Sequence, residues 1–452
     1  MRLADAAWLG IDRPHNRAVV VAVLRMSGEL DLDALRARVQ ERMVDPYPRF
    51  RHRVRPSTSS ARSRTLLTAR WHDDPGFDLS QHVVSALCDQ PCDDKALQRL
   101  AGTLLGQPLD PERPPWQMHL VRLQGGGCAV VARFHHGLAD GIALASVLLR
   151  LADEVTDRRS AVAAGQPAAR PASAQRGGQT GGKGPRVLRS SRTVAWVAIS
   201  VLPTLLHLVH LVLSMGEPPT LLRGPLGTVK SLAWTRPHDL EEVRAVARAH
   251  GVSINDVLLA ATAAGLHRHL MERDGVVGDL RAAVPVDLRR GTPVAADLGN
   301  IFGVVFVPLP VGVADPRRRL QKVARSTRRL KGSTQAGATF MLLRIVGAVP
   351  RFVREIAVAL LGESASAVVT NVPGPRKTLY IDGHRLDEVV FWGPQAGRIG
   401  LGISLFSYAG AVTVGVAVDA GLGIDPAGLA QQIEDEIGVL RDLAGSPAAQ
   451  AR

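Results

Sequence analysis

Residues 132–145 read ARFHHGLADGIALA, and they join two predicted elements of different kinds. The apolar, Val-rich run that starts at Cys128 follows three glycines, which is typical of a buried strand after a turn. The apolar run after Gly141 predicts a helix. The adjacent histidines His135 and His136 stand at the junction, so the stretch indicates a strand–turn–helix unit with polar chemistry at its turn.

Strands and helices of the same kinds are predicted on both sides of this unit. The strand-like runs cover residues 16–26, 280–288, 300–310, 366–375 and 403–418. The helical runs cover residues 32–43, 240–251, 253–270, 315–332 and 426–444. Alternating strands and helices predict an α/β fold.

The chain has 452 residues, which is too long for one ordinary domain. Residues 158–192 hold eight basic residues, no acidic residue and almost no apolar residue large enough for a core. Such a composition predicts a flexible basic linker. We therefore predict an N-terminal domain at 1–157 and a C-terminal domain at 193–452.

The C-terminal domain would open with residues 193–215, an apolar segment without a charged residue. Its length suits a membrane span, but Pro203, His207 and His210 interrupt it. We expect a helix that lies on a membrane or packs on the protein, in preference to a span. The N-terminus has no apolar run that would predict a signal peptide.

The net charge of +14 suggests an anionic partner. Aromatic residues are only 4% of the chain and none alternates with a basic cluster, so the sequence does not indicate nucleic-acid binding. A membrane surface or a phosphate-bearing ligand fits the charge equally well. The three cysteines lack the spacing of a zinc site and are expected to be reduced thiols in the cytoplasm.

His136 has three chemical interpretations. As a metal ligand it is disfavoured, because the side chains of adjacent residues on a strand point to opposite faces and no further ligand is suitably spaced. Nucleophilic catalysis is disfavoured as well, because Ser407 is not in a GxSxG sequence and nothing places a histidine beside Cys128. General base catalysis by one imidazole remains, with a structural pair of histidines as the alternative.

The spacing of the turn gives its other residues supporting roles. Asp140 would point under the strand end and hold the turn through an ion pair with an arginine. Gly137 and Gly141 allow a sharp turn and close approach of the chain. Farther on, Ser253 and Asp256 stand at capping-box spacing, so Asn255 and Asp256 are expected to open a helix.

The segment His135–Gly141 matches the HHxxxDG signature of the CoA-dependent acyltransferase superfamily. The segments DAAWLG (5–10), RFRHRV (49–54), FDLSQHV (77–83) and PLDPERPPWQMHLV (108–121) resemble the N-terminal blocks of one branch of it. SINDVLLAA (253–261), PVDLRR (285–290) with LGN (298–300), TNVPGP (370–375) and SLFSYAG (404–410) resemble its C-terminal blocks in order. The chain thus resembles the bacterial wax ester synthase/diacylglycerol acyltransferase family over all but its linker and tail.

This resemblance implies a two-domain α/β fold like that of chloramphenicol acetyltransferase, with mixed sheets and a tunnel between the domains. It implies transfer of a long-chain acyl group from acyl-CoA to diacylglycerol or a fatty alcohol. His136 would be the general base, with no covalent intermediate, no metal and no bound cofactor. The enzyme would be cytoplasmic and would bind peripherally to a membrane or lipid droplet.

The other candidate residues take their roles from the resembling blocks. Thr370, Asn371 and Ser407 are the candidates for stabilising the oxyanion. Pro114 and Trp116 are expected to shape packing, and Arg289 either pairs with an acid, Asp140 among them, or lies on the surface. Three departures from the family pattern bear on substrate preference only: Pro115 within PPW in place of PLW, Gly137 in place of alanine, and Thr370 in place of serine.

Two other functions remain open at this point. The first is a condensation-type enzyme that takes its acyl group from a carrier protein, or that acylates a glycolipid or polyketide alcohol. The second is a lipid-binding or scaffold protein of the same fold without catalysis, which the presence of His136, Asp140 and Gly141 disfavours. The basic helix at 317–331 could meet CoA phosphates or an anionic membrane, or it could be a solvated face.

Overall fold

The computed structural model describes residues 1–55, 69–86, 91–153, 220–274, 278–289, 298–331, 333, 335–349, 354, 357, 362–395 and 397–445. The predicted linker (158–192) and the predicted apolar helix (193–215) lie outside these residues. Among the described helices, none has the length and apolarity needed to cross a membrane.

The described part of the chain forms fifteen strands and nine α-helices. The strands are β1 Val19–Met26, β2 His52–Arg55, β3 Arg70–Asp73, β4 Val83–Ser85, β5 Trp116–Arg122, β6 Cys128–His135, β7 Lys230–Trp234, β8 His238–Asp239, β9 Leu280–Asp287, β10 Phe302–Leu309, β11 Ala367–Pro373, β12 Tyr380–Ile381, β13 His384–Trp392, β14 Leu401–Tyr408 and β15 Ala411–Asp419. The helices are α1 Leu3–Ile11, α2 Leu32–Val39, α3 Asp94–Gly106, α4 Gly141–Leu149, α5 Leu240–Ala249, α6 Ile254–Asp274, α7 Pro316–Lys331, α8 Gln335–Ala348 and α9 Pro426–Gly445.

Six strands form the first sheet, in the order β12-β13-β1-β6-β5-β4. Its pairs are antiparallel except for β4 with β5. Because side chains alternate along a strand, β1 and β6 supply apolar residues to both faces. One face buries Leu24 and Phe134 in a core shared with α2 and α4, and the other buries Val23 and Val131 against α3.

The second sheet has the order β10-β9-β11-β14-β15-β7, with β8 paired to β15. β11 runs parallel to both neighbours, β9 and β14, so this sheet is mixed too. Its outer face is covered by α5, α6, α7 and α9, which bury a large aliphatic core. The predicted α/β fold with mixed sheets is confirmed.

The division of the sequence at the linker does not coincide with the division of the sheets. β12 and β13 come from the C-terminal half, yet they complete the first sheet, where β13 pairs with β1 from Val21↔Trp392 to Met26↔Leu386. The sheets also meet closely, since a Cβ on Gly415 of β15 would lie 2.8 Å from Trp392 Nε1. The two halves therefore share a core, which the sequence-based domain boundaries do not anticipate.

Two helices that the sequence did not predict close the gap between the sheets beside the histidines. α1 packs on α8 so tightly that a Cβ on Gly347 would lie 1.8 Å from the backbone oxygen of Leu3. α8 packs on β10 equally closely, with Gly303 against the backbone of Ala336. These glycines let backbones approach where a larger residue would separate them.

Candidate active site

The turn between β6 and α4 carries the HHxxxDG segment. The backbone of His136 continues the sheet, because its N–H donates to the oxygen of Ala18 at 2.7 Å. Asp140 is the N-cap of α4 and accepts from the N–H of Ala143 at 3.0 Å. The helix therefore begins at Gly141, as predicted, and the turn lies buried between the sheets.

The two histidines have different surroundings. His135 is buried in the sheet opposite Val19, and its Nδ1 accepts from the N–H of Gly137 at 3.0 Å. This bond leaves the ring proton on Nε2 and ties the ring into the turn. Burial lowers the pKa of His135 to about 4. His136 instead lines the cavity described below.

Asp140 is held by Arg289 from the other half of the chain. Arg289 Nη2 donates to Asp140 Oδ2 at 2.5 Å and to the oxygen of Gly299 at 3.1 Å. Both side chains are 5% exposed, and the N–H of Ile301 donates to the same carboxylate oxygen at 2.9 Å. The arginine ion pair expected for Asp140 is therefore present, and its partner is Arg289.

A second buried ion pair holds the same turn. Asp5 of α1 is fully buried, and Arg49 Nη1 donates both to its carboxylate, at 3.1 Å, and to the oxygen of Leu138, at 2.9 Å. The N–H and Nδ2 of Asn300 donate to Asp5 Oδ1 at 3.0 and 2.9 Å. Asn300 Nδ2 also donates to the oxygen of His136 at 2.9 Å. The sequence analysis gave none of these residues a role.

The imidazole of His136 contacts two aromatic rings, which also stack on each other with a centroid separation of 6.1 Å. Trp8 stacks on the imidazole with a centroid separation of 4.0 Å and an interplanar angle of 28°, and Phe302 lies 5.5 Å away on a tilted plane. This burial lowers the pKa of His136 to about 4, although the charge of Asp140 acts in the opposite direction. The ring is therefore neutral near pH 7, the state that a general base requires.

His136 faces a cavity of about 200 Å³ between the two sheets. Its walls are mainly apolar and come from α1, α8, β9, β10 and β11. The apolar members include Trp8, Ile11, Ala283, Phe302, Val304, Phe306, Leu342, Leu343, Val346, Val368 and Ile399. The cavity lies where the tunnel was expected; a passage with two entrances stays a prediction.

Gly141 also lines this cavity. A Cβ built on it would meet no atom within 4 Å, so the glycine leaves open space beside His136. Gly137 is more crowded, since a Cβ there would lie 3.0 Å from His135 Nδ1 and 3.3 Å from Leu9. The close approach predicted for the turn therefore occurs at Gly137, whereas at Gly141 the missing side chain enlarges the cavity.

Of the three oxyanion candidates, Thr370 and Asn371 line the cavity. The Thr370 hydroxyl is half-buried and makes one long hydrogen bond, 3.4 Å to the oxygen of Ile403. Asn371 Nδ2 donates to Asn255 Oδ1 at 2.9 Å, so Asn255 supports the site through Asn371. Thr370 is therefore the better placed of the two to donate to a bound ligand.

Ser407, the third candidate, is not among the residues that line the cavity. Side chains alternate along β14: Ile403 and Leu405 belong to the core under the outer helices, whereas Phe406 belongs to the core of the first sheet. Ser407 shares the parity of Leu405, so its hydroxyl is directed away from His136. Phe406 lies on the opposite face of the strand, in the core of the first sheet.

The remaining support residues lie outside the cavity lining. Trp116 is buried, donates from Nε1 to the oxygen of Phe50 at 2.8 Å and stacks on His82, while Pro114 is buried at the start of β5. Asp256 forms the predicted capping box with Ser253 and accepts from the Thr327 hydroxyl at 2.6 Å. These residues pack and cap, as the sequence analysis expected.

Among the described residues there is no group of three or more His, Cys, Asp or Glu side chains placed to hold a metal. The two acids that hold the turn, Asp5 and Asp140, each form an ion pair with an arginine. The polar residues that line the cavity are His136, Asp140, Asp287, Thr339, Thr370 and Asn371.

Comparison with known proteins identifies the family. The model of the wax ester synthase/diacylglycerol acyltransferase catalytic domain matches residues 4–258, and that of the family's C-terminal domain matches residues 298–441. The chain belongs to this acyltransferase family. A Mycobacterium tuberculosis relative, "Probable diacyglycerol O-acyltransferase tgs1", is 28% identical over 444 residues, which cover 96% of this chain and 94% of the relative. Another relative from that species with a diacylglycerol O-acyltransferase name is 30% identical over 448 residues, covering 92% and 91%.

Solved structures support the fold. The wax ester synthase/diacylglycerol acyltransferase of Marinobacter aquaeolei VT8 matches with a TM-score of 0.68 at 21% identity, covering 98% of each chain. A condensation domain of the calcium-dependent antibiotic synthetase matches with a TM-score of 0.58 at 20% identity, covering 98% of this chain and 96% of that one. The predicted family and its two-domain architecture are thus confirmed.

Sequence reasoning missed Asp5, Trp8, Arg49 and Asn300. All four stand in blocks from which the sequence analysis took only the family resemblance: DAAWLG, RFRHRV and LGN. The usable signal was Asp5 in the otherwise apolar block DAAWLG, because a charged side chain in a segment that becomes buried needs a partner.

Proposed function

We propose that this acyltransferase moves a long-chain acyl group from acyl-CoA to the hydroxyl of diacylglycerol or of a fatty alcohol. The observation that supports this most strongly is the pairing of one neutral imidazole, His136, with a mainly apolar cavity. An apolar cavity suits an acyl chain, and the imidazole suits removal of a proton from an alcohol. The diacylglycerol O-acyltransferase names of the relatives favour the glyceride acceptor.

The reaction needs one proton transfer in each direction. His136 takes the proton of the acceptor hydroxyl as its oxygen attacks the thioester carbonyl. The tetrahedral intermediate then collapses, the C–S bond breaks, and the CoA thiolate receives the same proton from the imidazolium. The products are an ester and free CoA, and no covalent acyl-enzyme or metal enters the scheme.

The surroundings of His136 suit a charge that exists only briefly. The face of the Trp8 ring and the carboxylate of Asp140 favour the imidazolium form, while burial disfavours it in the resting enzyme. The Thr370 hydroxyl is the donor we assign to the oxyanion, because it lines the cavity and its only hydrogen bond among the described residues is long.

We also propose that the enzyme works at a membrane or lipid-droplet surface, where such acceptors reside. One face of α7 exposes Arg318, Lys322, Arg325, Arg328, Arg329 and Lys331. Among the described contacts of these six side chains there is one ion pair with an acid, which joins Lys322 to Asp279. A basic face of this kind attracts anionic lipid. By contrast, Arg319 of the same helix is buried against Glu436 and stabilises the fold.

The test is a turnover assay on the full-length protein. Palmitoyl-CoA is supplied with either dioleoylglycerol or hexadecanol, and both CoA release and lipid product are measured. We expect ester and CoA in equal amounts with at least one of these alcohols. Turnover restricted to a carrier-protein-bound acyl donor would replace this proposal with the condensation-type reaction. Flotation with phosphatidylglycerol vesicles that is lost at high salt would support the surface proposal, and absence of flotation at low salt would refute it.

A further inference from the structure

Asn300 touches the backbone of His136 and the carboxylate of Asp5 with the same amide nitrogen. Nδ2 donates to the oxygen of His136 at 2.9 Å and to Asp5 Oδ1 at 2.9 Å. Both partners are acceptors, so the side-chain amide has only one favourable orientation, with Oδ1 on the other side. Asn300 is 1% exposed and Asp5 fully buried, so water does not compete for these bonds.

This orientation leaves two buried polar atoms on neighbouring residues. Among the described residues, Asn300 Oδ1 and His136 Nδ1 have no hydrogen-bond partner in the resting geometry. One is an acceptor, and the other carries a proton in one of the two imidazole tautomers. Leaving both unpaired is costly, and a protonated His136 Nδ1 that donates to Asn300 Oδ1 would satisfy both atoms.

The choice of tautomer decides whether His136 can act on a ligand. His136 lines the cavity, and Nδ1 is the ring nitrogen that the protein encloses. A base needs its lone pair on the other nitrogen, Nε2, and therefore its proton on Nδ1. In His135 the opposite arrangement holds, because Nδ1 accepts from Gly137. A hydrogen-bond acceptor beside Nδ1 is therefore needed to keep the proton of His136 on that nitrogen.

We infer that Asn300 is the positioning residue that holds His136 in the Nδ1–H tautomer, with Asn300 Oδ1 as the acceptor and Asp5 as the anchor of the amide. The inference rests on the proposed function only for the role of Nε2 as the base. In this arrangement the buried carboxylate of Asp5 holds the amide of Asn300, and the amide holds the imidazole ring of His136.

The environment of the ring agrees with this assignment. The charged groups that act on His136 are Asp140, which raises its pKa, and His135, which lowers it. The backbone oxygen of His136 and the Asn300 side chain also raise this pKa. Loss of the amide should therefore lower the pKa of His136, and the acidic limb of kcat/KM should move to lower pH.

The experiment compares wild type, Asn300→Ala and Asn300→Ser, with Glu436→Gln as the control. Glu436 pairs with Arg319 in a buried site under the outer helices, so its variant reports lost stability without contact with the turn. In Asn300→Ala, Asp5 keeps Arg49 and the backbone N–H of residue 300, so the ion pair and the fold are retained. Asn300→Ser keeps a small polar side chain and is the second variant should the alanine variant not fold.

The first readout is the tautomer, measured by NMR on protein labelled with ¹⁵N-histidine, without substrate. The His136 signals are assigned by their loss in His136→Gln. Wild type should show a protonated Nδ1 and an unprotonated Nε2, and Asn300→Ala should show a mixture of tautomers. A wild-type His136 protonated on Nε2, or an unchanged tautomer in both Asn300 variants, would overturn the inference. Because no substrate is present, this result is independent of the proposed reaction.

The second readout is kinetic. Partners that orient a metal-bound imidazole contribute about 10–100-fold, and we expect kcat to fall by a similar factor in Asn300→Ala with KM within about threefold. Glu436→Gln should lower the melting temperature and keep kcat within about twofold. An equal loss of kcat in both variants would show that Asn300 acts through stability alone and would overturn the inference.

Discussion

The turn that carries His136 is held from two sides by two carboxylates with matching contacts. Asp140 accepts from Arg289, from the backbone N–H of Ile301 and from that of Ala143. Asp5 accepts from Arg49 and from both nitrogen donors of Asn300. Each arginine also donates to a backbone oxygen of its own half of the chain, Arg289 to Gly299 and Arg49 to Leu138.

The two differ in where they lie in the sequence. Asp140 belongs to the turn itself and caps α4, whose first residues line the cavity. Asp5 is on α1, more than a hundred residues earlier, and reaches the turn only through Arg49 and Asn300. The HHxxxDG segment therefore supplies one of the two carboxylates that hold the turn, and the other carboxylate comes from a residue distant in sequence.

The largest expected effects on stability and activity come from replacing Arg289 or Arg49, the two arginines that pair with these carboxylates. Removing one partner of a buried ion pair costs about 3–5 kcal/mol, so Arg289→Met and Arg49→Met should both lower the free energy of unfolding by about that much. Arg289→Met should lose more activity, because Asp140 also caps the helix that lines the cavity. Urea unfolding and initial rates with palmitoyl-CoA measure the two quantities.

The control for this pair is Arg441→Met, which removes a half-exposed ion pair with Glu242. Such surface pairs contribute less than about 1 kcal/mol, so its stability and rate should remain close to wild type. Equal activity in Arg289→Met and Arg49→Met would show that the two supports are equivalent. A larger loss in Arg49→Met would reverse the comparison.

The smallest expected effect concerns the hydroxyls near the turn. Thr370 lines the cavity and Ser407 does not, so Thr370→Val should reduce kcat, by up to about 100-fold if its hydroxyl is an oxyanion donor. Ser407→Ala should leave kcat within about twofold. Steady-state rates at saturating palmitoyl-CoA distinguish them, and a Ser407→Ala loss equal to that of Thr370→Val would refute the assignment of strand faces.

Much of the fold was predictable because the strands and helices carry their own periodicity. β1, β6, β9, β10, β11, β14 and β15 coincide with apolar runs, and α7 and α9 with amphipathic ones. β13 was not predicted, since its role depends on pairing across the chain, Val23 with Val390 for example. α1 and α8 were missed for the same reason: their burial comes from packing on each other.

The site was predictable where local spacing decides the geometry. The strand–turn–helix unit, the cap by Asp140 and the capping box of Asp256 follow from residues within one or two turns of chain. The sequence could not separate Ser407 from Thr370 as a candidate, because the SLFSYAG block does not reveal which face of the strand meets the cavity. The Asp5–Arg49–Asn300 contacts were out of reach because they join three segments that only the tertiary fold brings together.

We propose His136 as the base of an acyl transfer. The most direct measurement is kcat of His136→Ala with palmitoyl-CoA and the preferred alcohol, together with its melting temperature. We predict a loss of at least about 100-fold, the lower bound for a general base, while the variant stays folded. Turnover within about threefold of wild type in a folded His136→Ala protein would contradict the account.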